Sequence, residues 1–293
     1  MSDAVSEAVS GAAGAPVERG KIDLHAHTTA SDGTASPAQF VAAAVAAQLS
    51  AVAVTDHDTV ASVPEVTRLA EGSGIRVVAG VELSVHDAQD REVHLLGLHL
   101  ADLSLIESEL ERLRDARRAR AVQVVEKLNA VGVAITMDAV LAEAAGGAIG
   151  RPHVARALMN MGAVGGLQEA FDKWLGGGKV AYVPKERLLF ADGIALIHNA
   201  GGIAVYAHPG WEGNRERIEP LVALGLDGVE VRHPSHGSED IKRLKALVDH
   251  FGLVPSGGSD WHGAGAGPRL LGCMKVNPEW LDLQLARAAS VAT

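Results

Sequence analysis

The chain has 293 residues, 47% apolar and 21% charged, enough for one large α/β domain or a domain with a sizeable insertion. Aromatic residues make up only 3%, so the core must be built from Val, Leu, Ile and Ala. A formal net charge of −10 argues against a surface that grips long nucleic acid, and the single cysteine, Cys273, excludes an internal disulfide or a thiolate metal cluster.

Residues 1–20, rich in Ala, Ser and Gly, have neither a basic start nor a continuous apolar core and read as a disordered tail rather than a signal peptide or anchor. No run approaches the roughly 18 apolar residues of a membrane span, so a cytoplasmic protein is expected. The first strand, Lys21 to Leu24, runs into His25-Ala26-His27. Side chains two apart on a strand share a face, so the two imidazoles can reach one ion. A helix follows over Pro37 to Gln48, with Ser36 as N-cap and Pro37 at its first position. The apolar run Ala51 to Thr55, suited to a buried parallel strand, leads into Asp56-His57-Asp58. After a helix from Val63 to Glu71, the strand Arg76 to Val81 ends at Glu82, and a fourth strand, Glu92 to Leu100, carries His94.

Helical spacing then dominates. Ile106, Leu110, Leu113, Val124 and Leu128 mark one long helix or two between Leu103 and Ala130, and the charges of Glu107 to Arg120 read as a solvated face. Shorter helices are expected at Met137 to Ala144, His153 to Met161 and Leu167 to Leu175, so residues 101–186 read as a helical insertion, between 21–100 and 187–293. After Pro184 the βα rhythm resumes: helix Ala191 to Ala200, strand Ile203 to Ala207 before His208-Pro209, helix Arg215 to Leu224, strand Gly228 to Arg232, helix Ser238 to Phe251 and strand Leu253 to Gly257 before Ser259-Asp260-Trp261-His262.

His25, His27, His57, Glu82, His94, His208, Asp260 and His262 thus fall at expected strand ends, with Asp32 in the first loop. If the fold is a barrel, these nine donors share one rim, too many for one ion and suited to two or three. Trp261, between Asp260 and His262, should point away from the ions.

The motifs DLHAH (23–27), TDHD (55–58), GVELS (80–84), EVHLLGL (92–98), AHP (207–209) and GSDWH (258–262) resemble those of the PHP superfamily, named for polymerase and histidinol phosphatase. The similarity extends through IGRPHVARAL (149–158) and AYVPKE (181–186) to the branch of stand-alone metal-dependent phosphoesterases, which includes nucleoside 3′,5′-bisphosphate phosphatases and 5′-to-3′ exoribonucleases. The resemblance implies a distorted (β/α)7 barrel with a helical insertion and a site for Mn, Fe or Zn. Carried over, His25, His27, Glu82 and Asp260 hold one ion; Glu82 bridges to a second with His94 and His208; Asp32, His57 and His262 hold the third.

Ions sharing a carboxylate can share a water and lower its pKa, giving a bridging hydroxide that attacks phosphorus in line, so Glu82 and Asp260 count as catalytic. The leaving group would be protonated by metal-bound water or by a histidine such as His236. Arg151 resembles a phosphate clamp, because a guanidinium fork fits two phosphate oxygens. His153, Lys185, His233 and His236 are further substrate-binding candidates, and Asp56 and Asp58 flank a ligand they can orient. The expected substrate is a small phosphate ester, a nucleotide or short 5′-phosphorylated RNA. Alternatives are an amidohydrolase-type C–N hydrolase, a histidinol-phosphate-like phosphatase, and a PHP module with only a structural role. The sequence leaves the oligomeric state open.

Overall fold

A computed structural model describes residues 20–144, 149–184, 187–263 and 269–291. The tail expected at 1–20 lies, apart from Gly20, outside these residues. Seven strands form one sheet in chain order: β1 (Lys21–Asp23), β2 (Leu49–Val54), β3 (Arg76–His86), β4 (Glu92–Leu98), β5 (Ile203–Tyr206), β6 (Gly228–Arg232) and β7 (Val254–Gly257). All neighbours are parallel except that β4 runs antiparallel to both β3 and β5. The exception has a local cause. Asp87 Oδ1 accepts from the backbone N–H groups of Gln89 and Arg91, and Asp90 takes a φ of 62°, so a tight turn sends the chain straight back without a helix.

This hairpin corrects the strand-end placement of two residues. β3 pairs with β2 only from Arg76 to Ala79 and then with β4 from Gly80 to His86, so its ladder outlasts its parallel neighbour. Glu82 therefore lies inside β3 and His94 inside β4. Beyond β1 and β7 the chain segments meet: Leu24 N–H donates to Gly257 O (3.1 Å), Asp260 N–H to His25 O (2.9 Å) and His27 N–H to Trp261 O (2.8 Å). Gly258 permits this approach, since a Cβ there would lie 2.4 Å from both the N and the Cβ of His25.

Ten α-helices surround or extend the sheet among the described residues: α1 (Pro37–Ala46), α2 (Val63–Ala70), α3 (Leu103–Ala130), α4 (Met137–Ala144), α5 (Arg151–Asn160), α6 (Leu167–Ala170), α7 (Phe190–Asn199), α8 (Arg215–Ala223), α9 (Ser238–Phe251) and α10 (Glu279–Val291). α1 starts as its sequence dictates: the Ser36 hydroxyl accepts from Gln39 N–H, the Gln39 side chain accepts from Ser36 N–H, and Pro37 follows. α3 is a single helix of 28 residues. α10 was not foreseen; it buries only Trp280, Leu281 and Gln284, too sparse a stripe to read.

Among the described residues, buried side chains form two apolar clusters. The larger lies against the sheet and takes Ile106, Leu110 and Leu113 from the first half of α3. The smaller joins Val124, Val125 and Leu128 from its second half to α4, α5, Leu175 and Val183. Each fully buried aliphatic side chain contributes roughly 1.5–3 kcal/mol, so α3 is held at both ends. Among the described residues no helix is long and apolar enough to cross a membrane.

Candidate metal centre

His25 and His27, both fully buried, project from the extended segment after β1. The oxygens of Glu82 face different imidazoles. Oε2 is 3.1 Å from His25 Nε2, 3.2 Å from His27 Nε2 and 3.4 Å from His57 Nδ1. Oε1 is 2.8 Å from His94 Nδ1 and 2.9 Å from His208 Nε2. Asp260 Oδ1 lies 3.5 and 3.2 Å from Nε2 of His25 and His27. Asp32 Oδ1 is 3.2 Å from His262 Nε2, and its Oδ2 is 3.8 Å from His57 Nε2. The nine expected donors therefore meet in one place. Trp261 turns into the core beside Phe40, with ring centroids 5.9 Å apart.

Among the described residues, donor atoms within 4.8 Å of one another include the groups His25, His27, Glu82 and Asp260; His57, Glu82 and His94; and His27, Asp32, His57 and His262. The first is the set expected for one ion. In space His57 also stands beside His94, and His27 also reaches Asp32, so the groups overlap more than the linear order suggested.

The donors fit divalent ions. Both ring nitrogens of His27 are buried; Nε2 faces carboxylate oxygens of Glu82 and Asp260, each at 3.2 Å, and Nδ1 lies 3.8 Å from Asp32 Oδ1, while His94 Nδ1 faces His208 Nε2 at 3.3 Å. Such nitrogens need a proton or a cation between or beside them. Burial opposes charge; partners prevail at Glu82, His27 and Asp32, whereas burial lowers His57. Glu82 is pushed up by burial but held well below the usual carboxylate range by His25, His208 and His27. Burial also lowers His27, but Asp260 and Glu82 raise it to about 9. Asp32, despite burial, is brought to about 2 by His262 and His57. Without a metal, His25, His27 and His94 in this carboxylate nest attract protons, the cations an arriving divalent ion displaces. Oxygen and imidazole donors without thiolate suit Mn, Fe or Zn.

The surrounding residues include some that sequence reasoning missed. Glu230, on β6 and fully buried, takes the other ring nitrogen of His25 (Nδ1 to Oε1, 3.1 Å) and accepts from His208 N–H (2.8 Å). Its only sequence signal is a carboxylate inside the apolar run GVEVR. Asp56 accepts from Thr28 N–H and from the hydroxyls of Thr28, Ser31 and Ser62, bracing the loop of Asp32. Asp58 accepts from Ser84 N–H and pairs with Arg117 at 2.7 Å. Arg269 pairs with Asp260 Oδ2 at 2.5 Å.

A cleft of about 820 Å³ opens beside the donors and is lined by Asp32, His57 and His94 on one side and Arg117, Arg120, Arg151, His153 and Arg156 on the other. Arg117 and Arg120 thus correct the reading of the first part of α3 as purely solvated, because that helix crosses the mouth of the site. The Arg151 guanidinium lies 5.6 and 5.5 Å from the ring centroids of Phe171 and Tyr182 and donates to Leu175 O (3.1 Å). His153 Nδ1 accepts from Gly150 N–H at the start of α5 (2.9 Å). His233 is buried beside Asp260 Oδ2 (3.3 Å), behind the donors rather than in the cleft. His236 has both ring nitrogens engaged by backbone, Nδ1 donating to Val231 O (3.0 Å) and Nε2 accepting from Gly210 N–H (3.1 Å). That leaves it no nitrogen for the proton transfer or substrate contact expected of it. Lys185 lies outside the described residues.

An α/β sheet presenting this nest of imidazoles and carboxylates beside a basic cleft defines a metal-dependent hydrolase. The pattern of the PHP domain family matches residues 23–136. The chain is 34% identical over 275 residues to the 3′,5′-nucleoside bisphosphate phosphatase of Chromobacterium violaceum, covering 90% of this chain and 96% of that protein. It is 36% identical to a 5′-3′ exoribonuclease of Haemophilus influenzae, covering 83% of this chain and 90% of that protein. Among solved structures, a candidate metal-dependent phosphoesterase from Bifidobacterium adolescentis matches with a TM-score of 0.71 at 35% identity, covering 91% of this chain and 96% of that one. A C. violaceum protein described as an amidohydrolase with bound sulfate matches with a TM-score of 0.69 at 33% identity, covering 91% and 96%. The chain belongs to the PHP domain family.

Proposed function

We propose that this metal-dependent phosphoesterase removes phosphate from a small nucleotide, a nucleoside 3′,5′-bisphosphate or the 5′ end of a short RNA, using two or three ions of Mn, Fe or Zn held by His25, His27, Asp32, His57, Glu82, His94, His208, Asp260 and His262. We further take the sheet to be a distorted barrel over 21–100 and 187–293, with 101–186 as a helical insertion that overhangs the site. The observation that carries the reading is the Glu82 carboxylate, with one oxygen toward His25 and His27 and the other toward His94 and His208. A carboxylate so placed would hold two ions at once.

When bound, such ions make an ionised water available near neutral pH and neutralise charge on phosphoryl oxygens. The chain's residues do the rest. Glu230 fixes which nitrogen of His25 faces the centre, since a carboxylate on Nδ1 holds the proton there. Arg117, Arg120 and Arg151 crowd one wall; burial, then Arg151 and Arg117, lowers the Arg120 guanidinium. Arg117 is already paired with Asp58, whereas Arg120 and Arg151 each donate to a backbone carbonyl, and guanidinium donors of that kind suit the second phosphate of a bisphosphate. The test is phosphate release by metal-loaded and chelated protein from adenosine 3′,5′-bisphosphate, short 5′-phosphorylated RNA, histidinol phosphate and an amide panel. Turnover of the nucleotides, lost on chelation, is expected; activity confined to amides would support the amidohydrolase reading instead.

A further inference from the structure

A second groove of about 370 Å³ adjoins the centre, lined by Glu92, His94, His208, Trp211, Glu212 and Ser235 among others. It shares Glu92 and His94 with the basic cleft, so the two lobes meet over the donors. Their chemistry differs. Among the described residues the cleft is lined by four arginines beside Asp32, Asp58, Glu92 and Glu143, whereas no lysine or arginine lines the groove, whose two carboxylates are Glu92 and the arginine-paired Glu212. An anion is favoured in the first and an uncharged, flat group in the second.

Trp211 is among the side chains that line this groove. A single exposed apolar side chain is ordinary, but this indole is 78% exposed on a short 3₁₀ turn, Gly210–Glu212, that is braced on both sides. Gly210 N–H donates to His236, Gly210 O accepts from Arg243 (2.7 Å), Gly213 O accepts from the same guanidinium (3.1 Å), and Glu212 pairs with Arg217 (2.5 Å) and Arg91 (3.3 Å). The backbone under the ring is thus fixed two residues beyond His208-Pro209. An aromatic face on a fixed backbone loses little freedom when a second ring lies on it.

Resting on the proposed function, we infer that Trp211 is the stacking platform for the nucleobase: the base lies on the indole, the reacting phosphate sits over the donors, and the other phosphate enters the arginine cleft. His236, by holding Gly210, is a positioning residue for that platform. Base–aromatic stacking tolerates every base because each has a π face, so the groove should accept purine and pyrimidine nucleotides alike.

The test compares kcat/KM of wild type and Trp211→Ala on adenosine 3′,5′-bisphosphate and on a base-free bisphosphate, 1-deoxyribose 3,5-bisphosphate. The preference for the nucleotide should fall by about ten-fold or more in Trp211→Ala, mainly through KM, and be largely restored in Trp211→Phe. An unchanged preference overturns the inference. So does a Trp211→Ala protein whose sedimentation shows a changed oligomeric state, which would assign the indole to a contact between copies. If wild type hydrolyses neither bisphosphate, the proposed function has failed. The platform is then judged by adenosine 5′-monophosphate quenching indole fluorescence in wild type but not in Trp211→Phe, and absence of quenching refutes it.

Discussion

His27, buried and with Nε2 3.2 Å from oxygens of both Glu82 and Asp260, is sensitive to what occupies the centre. Its folded pKa of about 9 exceeds the ordinary 6.5, because Asp260 and Glu82 outweigh burial. In metal-free protein the resulting stabilisation is fully present below pH 6.5 and is lost as pH rises through 9, so chelated protein should melt at lower temperature across that window. Metal affinity, measured by calorimetry, should move the other way and increase with pH, as protons leave the donors. A melting temperature of chelated protein that climbs between those limits would contradict the arrangement. Asp260→Asn keeps the size of the side chain but removes its charge from between His27 and His233. Phosphatase activity should be abolished with the circular dichroism spectrum intact. Glu230→Gln should weaken metal binding about 10–100-fold, read by equilibrium dialysis, because His25 loses the anion that orients it. The His-x-His pair, Glu82 and the closing Asp-x-His were legible because their spacing is short and local. Glu230 was not, since nothing in GVEVR says which neighbour its side chain meets.

Among the elements, α3 has two allegiances. Leu110 packs against the sheet and Leu128 in the smaller cluster, and both are fully buried. Leu128→Ala should cost roughly 2–5 kcal/mol locally. Hydrogen exchange should show residues of the smaller cluster, such as those of α5, losing protection before β3 or β4. Equal loss across the sheet would mean the two clusters unfold as one. The boundaries of α1, α3 and α9 could be read closely because capping residues and apolar spacing are written along the helix itself. The same periodicity cannot tell which polar face meets water and which overhangs a cleft, so Arg117 and Arg120 looked like ordinary surface charge. The β3–β4 hairpin was missed for a similar reason: its turn, Asp87 to Arg91, was outweighed by the surrounding βα rhythm.

At the scale of the whole molecule, a net charge of −10 coexists with a cleft of four arginines. A small anion should therefore bind locally, and inorganic phosphate should compete with substrate, its inhibition constant rising with salt. Metal occupancy should raise the melting temperature, since ligands that bind only the folded state stabilise it by mass action, and chelation should reverse the gain. An identical melting curve with and without chelator would mean that the donors hold no ion. The sequence by itself determined most helices and strands and singled out nine candidate donors, because those signals live in spacing of a few residues along one element. Tertiary structure alone decided what lies between elements: the antiparallel β4 that places Glu82 mid-strand, Glu230 behind His25, the arginine wall and the braced Trp211. Each of these depends on residues tens to hundreds of positions apart being brought within a few ångströms, and no local pattern encodes that distance.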